Sequence, residues 1–141
     1  GLVLIDCIPE GWLEYFRTTH SDKEVKMFNK VTDPGQYTGI LKDEWGQFEH
    51  NCELIKGIEI PQNIPTRIIT ATQYGRDQQN LGYHPEDMQV WAKMQAGMMK
   101  NVKDARQIIT DKSGHSIQFS EPGLIINAVK ELVEINRNKL K

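Results

Sequence analysis

Two cysteines in 141 residues, Cys7 and Cys52, are too few for a disulfide framework or a thiolate metal site. A reduced, cytoplasmic setting is the default expectation. No apolar run approaches the ~20 residues that a membrane span needs. Neither sign of charge dominates: 17 Lys and Arg stand against 19 Asp and Glu, a net charge of -2. That balance gives no electrostatic footprint for nucleic acid. The one basic cluster, "NRNKLK" from Asn136 to Lys141, reads as a solvated end. Phosphate-cradling loops, the dinucleotide glycine fingerprint, internal repeats and low-complexity stretches are all missing. His20, His50 and His84 lack metal-ligand spacing, so surface or lid positions are expected for them, and neither a metal nor a cofactor is expected.

What is present is ordinary for a folded domain. Hydrophobic residues make up 38% and charged residues 26%, enough for one core. "GLVLID" opens the chain as a continuous apolar strand, Leu2 to Ile5, with Asp6 at its C-terminal end. Such a run fits a strand buried on both faces of a parallel sheet. A central strand at the first residue suggests that the chain was cut from something longer.

From Pro9 to Gly57 the pattern is helical. Trp12, Leu13 and Phe16 recur at helical spacing. Ser21 with Glu24 three residues later forms a capping box. "DPGQYTG" is a turn cluster. Trp45, Phe48, Cys52 and Ile55 share one stripe. These aromatics are expected in the core, with the lining of a pocket as the alternative.

The rest alternates. "IPTRIITA" is a strand that Pro65 starts. A polar loop, "QYGRDQQNLGYHP", leads to a helix from about Pro85 to Lys100, whose apolar side carries Trp91, Met94, Met98 and Met99. "ARQIIT" is a third strand. The last helix has Leu124, Ile125, Ala128, Val129, Leu132 and Val133 on one face, Pro122 in its first turn, and Ser120 or Glu121 as cap. Strands separated by helices predict a parallel sheet with right-handed crossovers. Ligands in such sheets bind beyond the carboxyl ends of the strands. Asp6, the 72–84 loop and the loop carrying His115 all lie at that rim.

"TDKSGHSIQF" (Thr110 to Phe119) sets His115 between a strand and a capped helix. Gly114 is read as the residue that lets the chain turn tightly ahead of it. A short loop held on both sides is a good mount for a general base, because imidazole titrates near neutrality. A surface histidine in a strand-to-helix turn is the plainer alternative.

The order of these segments resembles the C-terminal half of an α/β-hydrolase, over nearly all of the chain. "IITDKSGHSIQFSEPGLIINAVKELVE" is similar to that family's last strand, histidine loop and final helix. "GLVLIDCIPE" looks like the strand after the nucleophile helix, and "IPTRIITA" like the strand that follows the lid. The resemblance implies a partial α/β-hydrolase fold over residues 1–141, with a helical lid at about 9–60 and the strand-helix-strand-helix end of the core at 61–141. It implies a serine-type hydrolase of a carboxylic ester or related small-molecule substrate, with His115 as base. The nucleophile's G-x-S-x-G turn does not occur here: Ser21, Ser113, Ser116 and Ser120 lie in no such turn, and the resemblance puts it upstream of Gly1 with the oxyanion hole. Three carboxylates are candidates for the triad acid, in the order Asp6, Asp77, Glu10, and Asp77 has a solvated loop position as its plainer reading. The same fold hosts lyases, dehalogenases and acyltransferases, so esterase is only the default. Two rivals stand beside the hydrolase: a non-catalytic α/β binding domain using the lid aromatics and the sheet rim, and a freestanding three-stranded domain.

Overall fold

The computed structural model describes residues 1–139. In chain order it has β1 (Leu2–Ile5), α1 (Trp12–Thr19), α2 (Asp22–Thr32), a 3-10 turn (Pro34–Gln36), α3 (Ile40–Leu54), β2 (Thr66–Ala71), α4 (Arg76–Asn80), α5 (Asp87–Gly97), β3 (Ala105–Thr110), α6 (Ile117–Ser120) and α7 (Pro122–Lys139). The sheet is open, three-stranded and parallel throughout, in the order β1-β2-β3. Mixed α/β architecture with helices between parallel strands is what the alternating pattern predicts.

β2 is the strand with a neighbour on each side, and all six of its residues are buried. The opening strand differs from its expectation. Among the described residues β1 is an edge strand and only half-buried. An apolar run alone does not distinguish the centre of a sheet from its edge.

Side chains alternate across β2 and send its two faces to different helices. Ile69 and Ala71 face α7 and pack with Ile117 and Ala128. Thr70, two-faced neighbour of both, reaches instead to Gln95 of α5. Arg67 is the surprise inside this buried strand. Its guanidinium bonds Glu131 of α7 at 2.8 Å and Asp104 at 3.0 Å. A buried charge survives because it is paired.

The helical 9–60 segment rests on this core through aromatic packing. Trp12 meets Trp91 edge-on at 4.8 Å, and Phe16 lies 5.1 Å from Phe28. Trp12, Phe16 and Phe28 are fully buried, each worth about 1.5–3 kcal/mol of apolar burial. Ser21 caps α2 in a complete capping box with Glu24, as its spacing predicts. Gly82 brings the 76–84 loop against α2: its φ is +81°, and a Cβ there would lie 2.9 Å from the Glu24 carbonyl oxygen.

Candidate functional site

The parallel register ends the three strands together. Ile5 pairs Ile69, and Ala71 pairs Thr110. Asp6 therefore emerges beside Ala71, and the loop after Thr110 rises from the same rim. Across it, Nδ1 of His115 lies 2.9 Å from Oδ2 of Asp6, joining residues 109 positions apart. Ionised carboxylates only accept, so Nδ1 carries the proton in this bond and Nε2 of the neutral ring presents a lone pair.

The other carboxylates are elsewhere. Asp77 is exposed in the first turn of α4 and makes no hydrogen bond to His115. Glu10 accepts instead from the backbone N–H of Gly57 at 3.0 Å. Of the three candidate acids, Asp6 is the one set against the imidazole.

Asp6 is held tightly. Its side chain is 6% exposed. Oδ1 accepts from the Ala71 backbone N–H at 3.1 Å and from the indole N–H of Trp91 at 2.8 Å. Gln95, fully buried, bonds the Cys7 carbonyl at 2.6 Å and comes within 3.5 Å of Oδ1. Gln95 is itself anchored: Thr70 donates to its Oε1, and Gln107 donates to the Thr70 hydroxyl and to the Ala92 carbonyl, both at 2.8 Å. A buried amide ladder thus reaches from β3 to the carboxylate. Asp6 also has φ of +42°, the one non-glycine with positive φ among the described residues. Side chains other than glycine, asparagine and aspartate pay heavily in that region. The turn aims the carboxylate back over β2 instead of onward with the chain.

The His115 loop is closed at its base. Oε2 of Glu121 accepts from the hydroxyls of Thr110 and, at 2.6 Å, of Ser113, which also meets Ser120 at 2.6 Å. The Ser113 and Thr110 bonds hold the Glu121 carboxyl below its usual range. Ser120 and Glu121, expected to cap α7, are spent on this closure. Gly114 does not have the role expected of it. Its φ is ordinary, and a Cβ there would sit 3.7 Å from Gln78, a normal contact. The helical turn α6 and the Glu121 tie shape the loop, so no left-handed residue is required.

His115 itself is 73% exposed at the side chain. Among the described residues none hydrogen-bonds Nε2. The bond to Asp6 raises its pKa above the usual value, against the opposing effect of burial. Beside the ring opens a cavity of about 150 Å³. Phe28, Trp45 and Phe48 wall it from α2 and α3, and Leu81, Met88 and Trp91 from the 81–91 segment. Trp45 and Phe48 are half-buried, so this stripe of α3 serves packing and lining together. Tyr83 also borders the cavity, accepts from the Trp12 indole N–H at 3.1 Å, and has its hydroxyl pushed up to about 12 by burial.

Among the described residues, no hydroxyl or thiol is bonded to the ring. Burial and the neighbouring Asp6 charge push the Cys7 thiol up to about 11. Burial also raises Cys52, which lines a separate cleft with Glu10 and Glu53. Ser113 is buried under the loop in its own hydrogen bonds.

Sequence spacing missed a second polar cluster. His20, expected at the surface or in the lid, ends α1 with a side chain only 2% exposed, and its Nε2 lies 2.8 Å from Oδ2 of Asp87. Asp87 also accepts from the Tyr15 hydroxyl at 2.9 Å and the His84 N–H at 2.6 Å. His84 stacks on His20 at 4.8 Å and bonds Glu24 at 2.7 Å. One ligand atom each of His20, His84 and Asp87 fall within 4.8 Å of one another. Their hydrogen bonds already engage these groups, so the cluster acts as a clasp between α1, α2 and α5. His50 makes no side-chain bond and is exposed.

No family model, curated protein or solved structure matches the chain. Among the described residues, no helix is long and apolar enough to cross a membrane.

Proposed function

We propose that Asp6 and His115 are the acid and base of a serine-type hydrolase acting on a carboxylic ester or related small molecule, in an α/β-hydrolase fold of which these residues form the C-terminal portion. The observation that carries this reading is the polarity of the imidazole. A buried carboxylate takes Nδ1–H, while Nε2 is free at the mouth of an apolar cavity.

The chemistry follows from that orientation. Nε2 accepts the proton of an alcohol nucleophile as its oxygen attacks the substrate carbonyl. The imidazolium formed is stabilised by Asp6 and then protonates the leaving oxygen. In the second half, Nε2 takes a proton from water, which attacks the acyl-enzyme and releases the acid. The nucleophile and the oxyanion hole belong, in this reading, to residues preceding Gly1. The 9–60 segment is then the lid, and its aromatics complete the substrate pocket.

The test is substitution in the full-length protein. His115→Ala is expected to lower aryl-ester turnover by a factor of 10³ or more while leaving the circular dichroism spectrum unchanged. Unchanged turnover rules out His115 as the base. A second reading, a non-catalytic binding domain, draws on the absence of any hydroxyl or thiol bonded to Nε2 among the described residues. It predicts that the full-length protein carries no nucleophile turn and shows no hydrolysis to lose.

A further inference from the structure

Resting on the hydrolase reading, we propose that the cavity beside His115 recognises one uncharged, ring-sized apolar group bearing a neutral oxygen acceptor, and rejects carboxylates and long chains. Size is the first ground. Its volume is about 150 Å³, the scale at which an apolar cavity in a folded protein holds a single benzene. Aromatic and thioether walls from Phe48, Trp45 and Met88 suit a ring face.

Charge is the second ground. Among the described residues, neither Lys nor Arg lines the cavity. Its acidic member is Asp6, whose oxygens are committed to the bonds described above. A ligand carboxylate would enter beside that carboxylate without a neutralising cation other than His115, already paired. Such desolvation costs far more than an apolar ring does.

The third ground is one spare donor. Gln78 borders the cavity and gives Oε1 to the Gly75 N–H at 3.0 Å. Its side-chain NH2 has no protein acceptor among the described residues and lies against Gly114, next to His115. A neutral oxygen acceptor held there would leave its ring in the cavity that Gln78 and His115 both line. Ala71, buried at the rim of β2 against Ile117 and Ala128, also lines this space.

Equilibrium binding tests this without reading turnover. The isotope-labelled full-length protein is titrated with benzyl alcohol, benzoate and 1-decanol, following the indole N–H resonances of Trp91 and Trp45. Benzyl alcohol is expected to shift both saturably, with benzoate and decanol at least ten-fold weaker. Phe48→Ala, at a half-buried lid position, is expected to admit 2-naphthalenemethanol at least five-fold more tightly than the parent does. Ala71→Leu is expected to abolish benzyl alcohol binding. Equal binding of benzoate, no saturable shift, or an unchanged ring-size preference in Phe48→Ala overturns the proposal, and the Phe48 arm stands even if Ala71→Leu fails to fold. Binding is read without turnover, so loss of the catalytic reading in His115→Ala and loss of the pocket in these titrations are separate results.

Discussion

The indole N–H of Trp91 donates to Oδ1 of Asp6 at 2.8 Å, across 85 residues of sequence, while the other oxygen of the same carboxylate faces His115. One aromatic side chain therefore does two jobs. Its ring packs on Trp12 and lines the cavity, and its nitrogen fixes the acid.

Trp91→Phe keeps much of the packing and removes the donor. A hydrogen bond to a charged group is worth about 1.5–3 kcal/mol. The expected loss of stability falls in that range, read as a lower urea midpoint with an unchanged slope.

Asp6→Asn is expected to lower the titration midpoint of His115, followed by the ring-proton shifts. The folded pKa of His115 is raised by Asp6. The pair's contribution to stability is therefore fully present below the unfolded histidine value of about 6.5 and is lost as pH rises through the folded value. The stability gap between parent and variant should be larger at pH 5.5 than at pH 9. If His115 is the base, the acid limb of the parent's rate profile lies above the ordinary histidine value, and in the variant it moves down.

The clasp between α1, α2 and α5 has its own pH window. Bonds from Ser21, then His84, lower the Glu24 carboxyl to about 2, and Glu24 raises His84. The Glu24 contribution is present above the ordinary carboxylate range and lost as pH falls toward 2. The His84 contribution is present below about 6.5 and lost above its raised value. Amide exchange in the first turn of α2 is expected to slow least, relative to intrinsic rates, at pH 9. His84→Ala should flatten the change between pH 5.5 and pH 9.

Two glycines should behave oppositely. Gly114→Ala is expected to change stability by no more than about 0.5 kcal/mol, as for an ordinary exposed substitution. Gly82→Ala places a Cβ at positive φ and 2.9 Å from a backbone oxygen. Its expected cost exceeds about 1–2 kcal/mol, the left-handed penalty alone. Thermal melts of the two variants decide.

Strands and long helices were legible because each carries one dominant period and a clear stop. Ser21 and Glu24 announced the start of α2, and Asp6 and His115 could be placed at one rim by strand polarity alone. The bond between them required register, which spacing does not encode. Trp91 and Gln95 were hidden because a helical stripe reports which side chains are buried, not what their polar atoms reach. Arg67 was hidden for the converse reason: its partners, Asp104 and Glu131, lie 37 and 64 residues downstream. Gly114 misled because the tie through Glu121 is a tertiary bond that substitutes for local turn chemistry.

That tie has a mechanical result. With Thr110 and Ser113 gathered on the Glu121 carboxylate and Ser120 tied to Ser113, the segment bearing His115 is a hoop whose feet are fastened together, not a flap on a hinge. Its imidazole thus stands on a fastened mount at the mouth of the cavity, facing the aromatic walls contributed by α2 and α3.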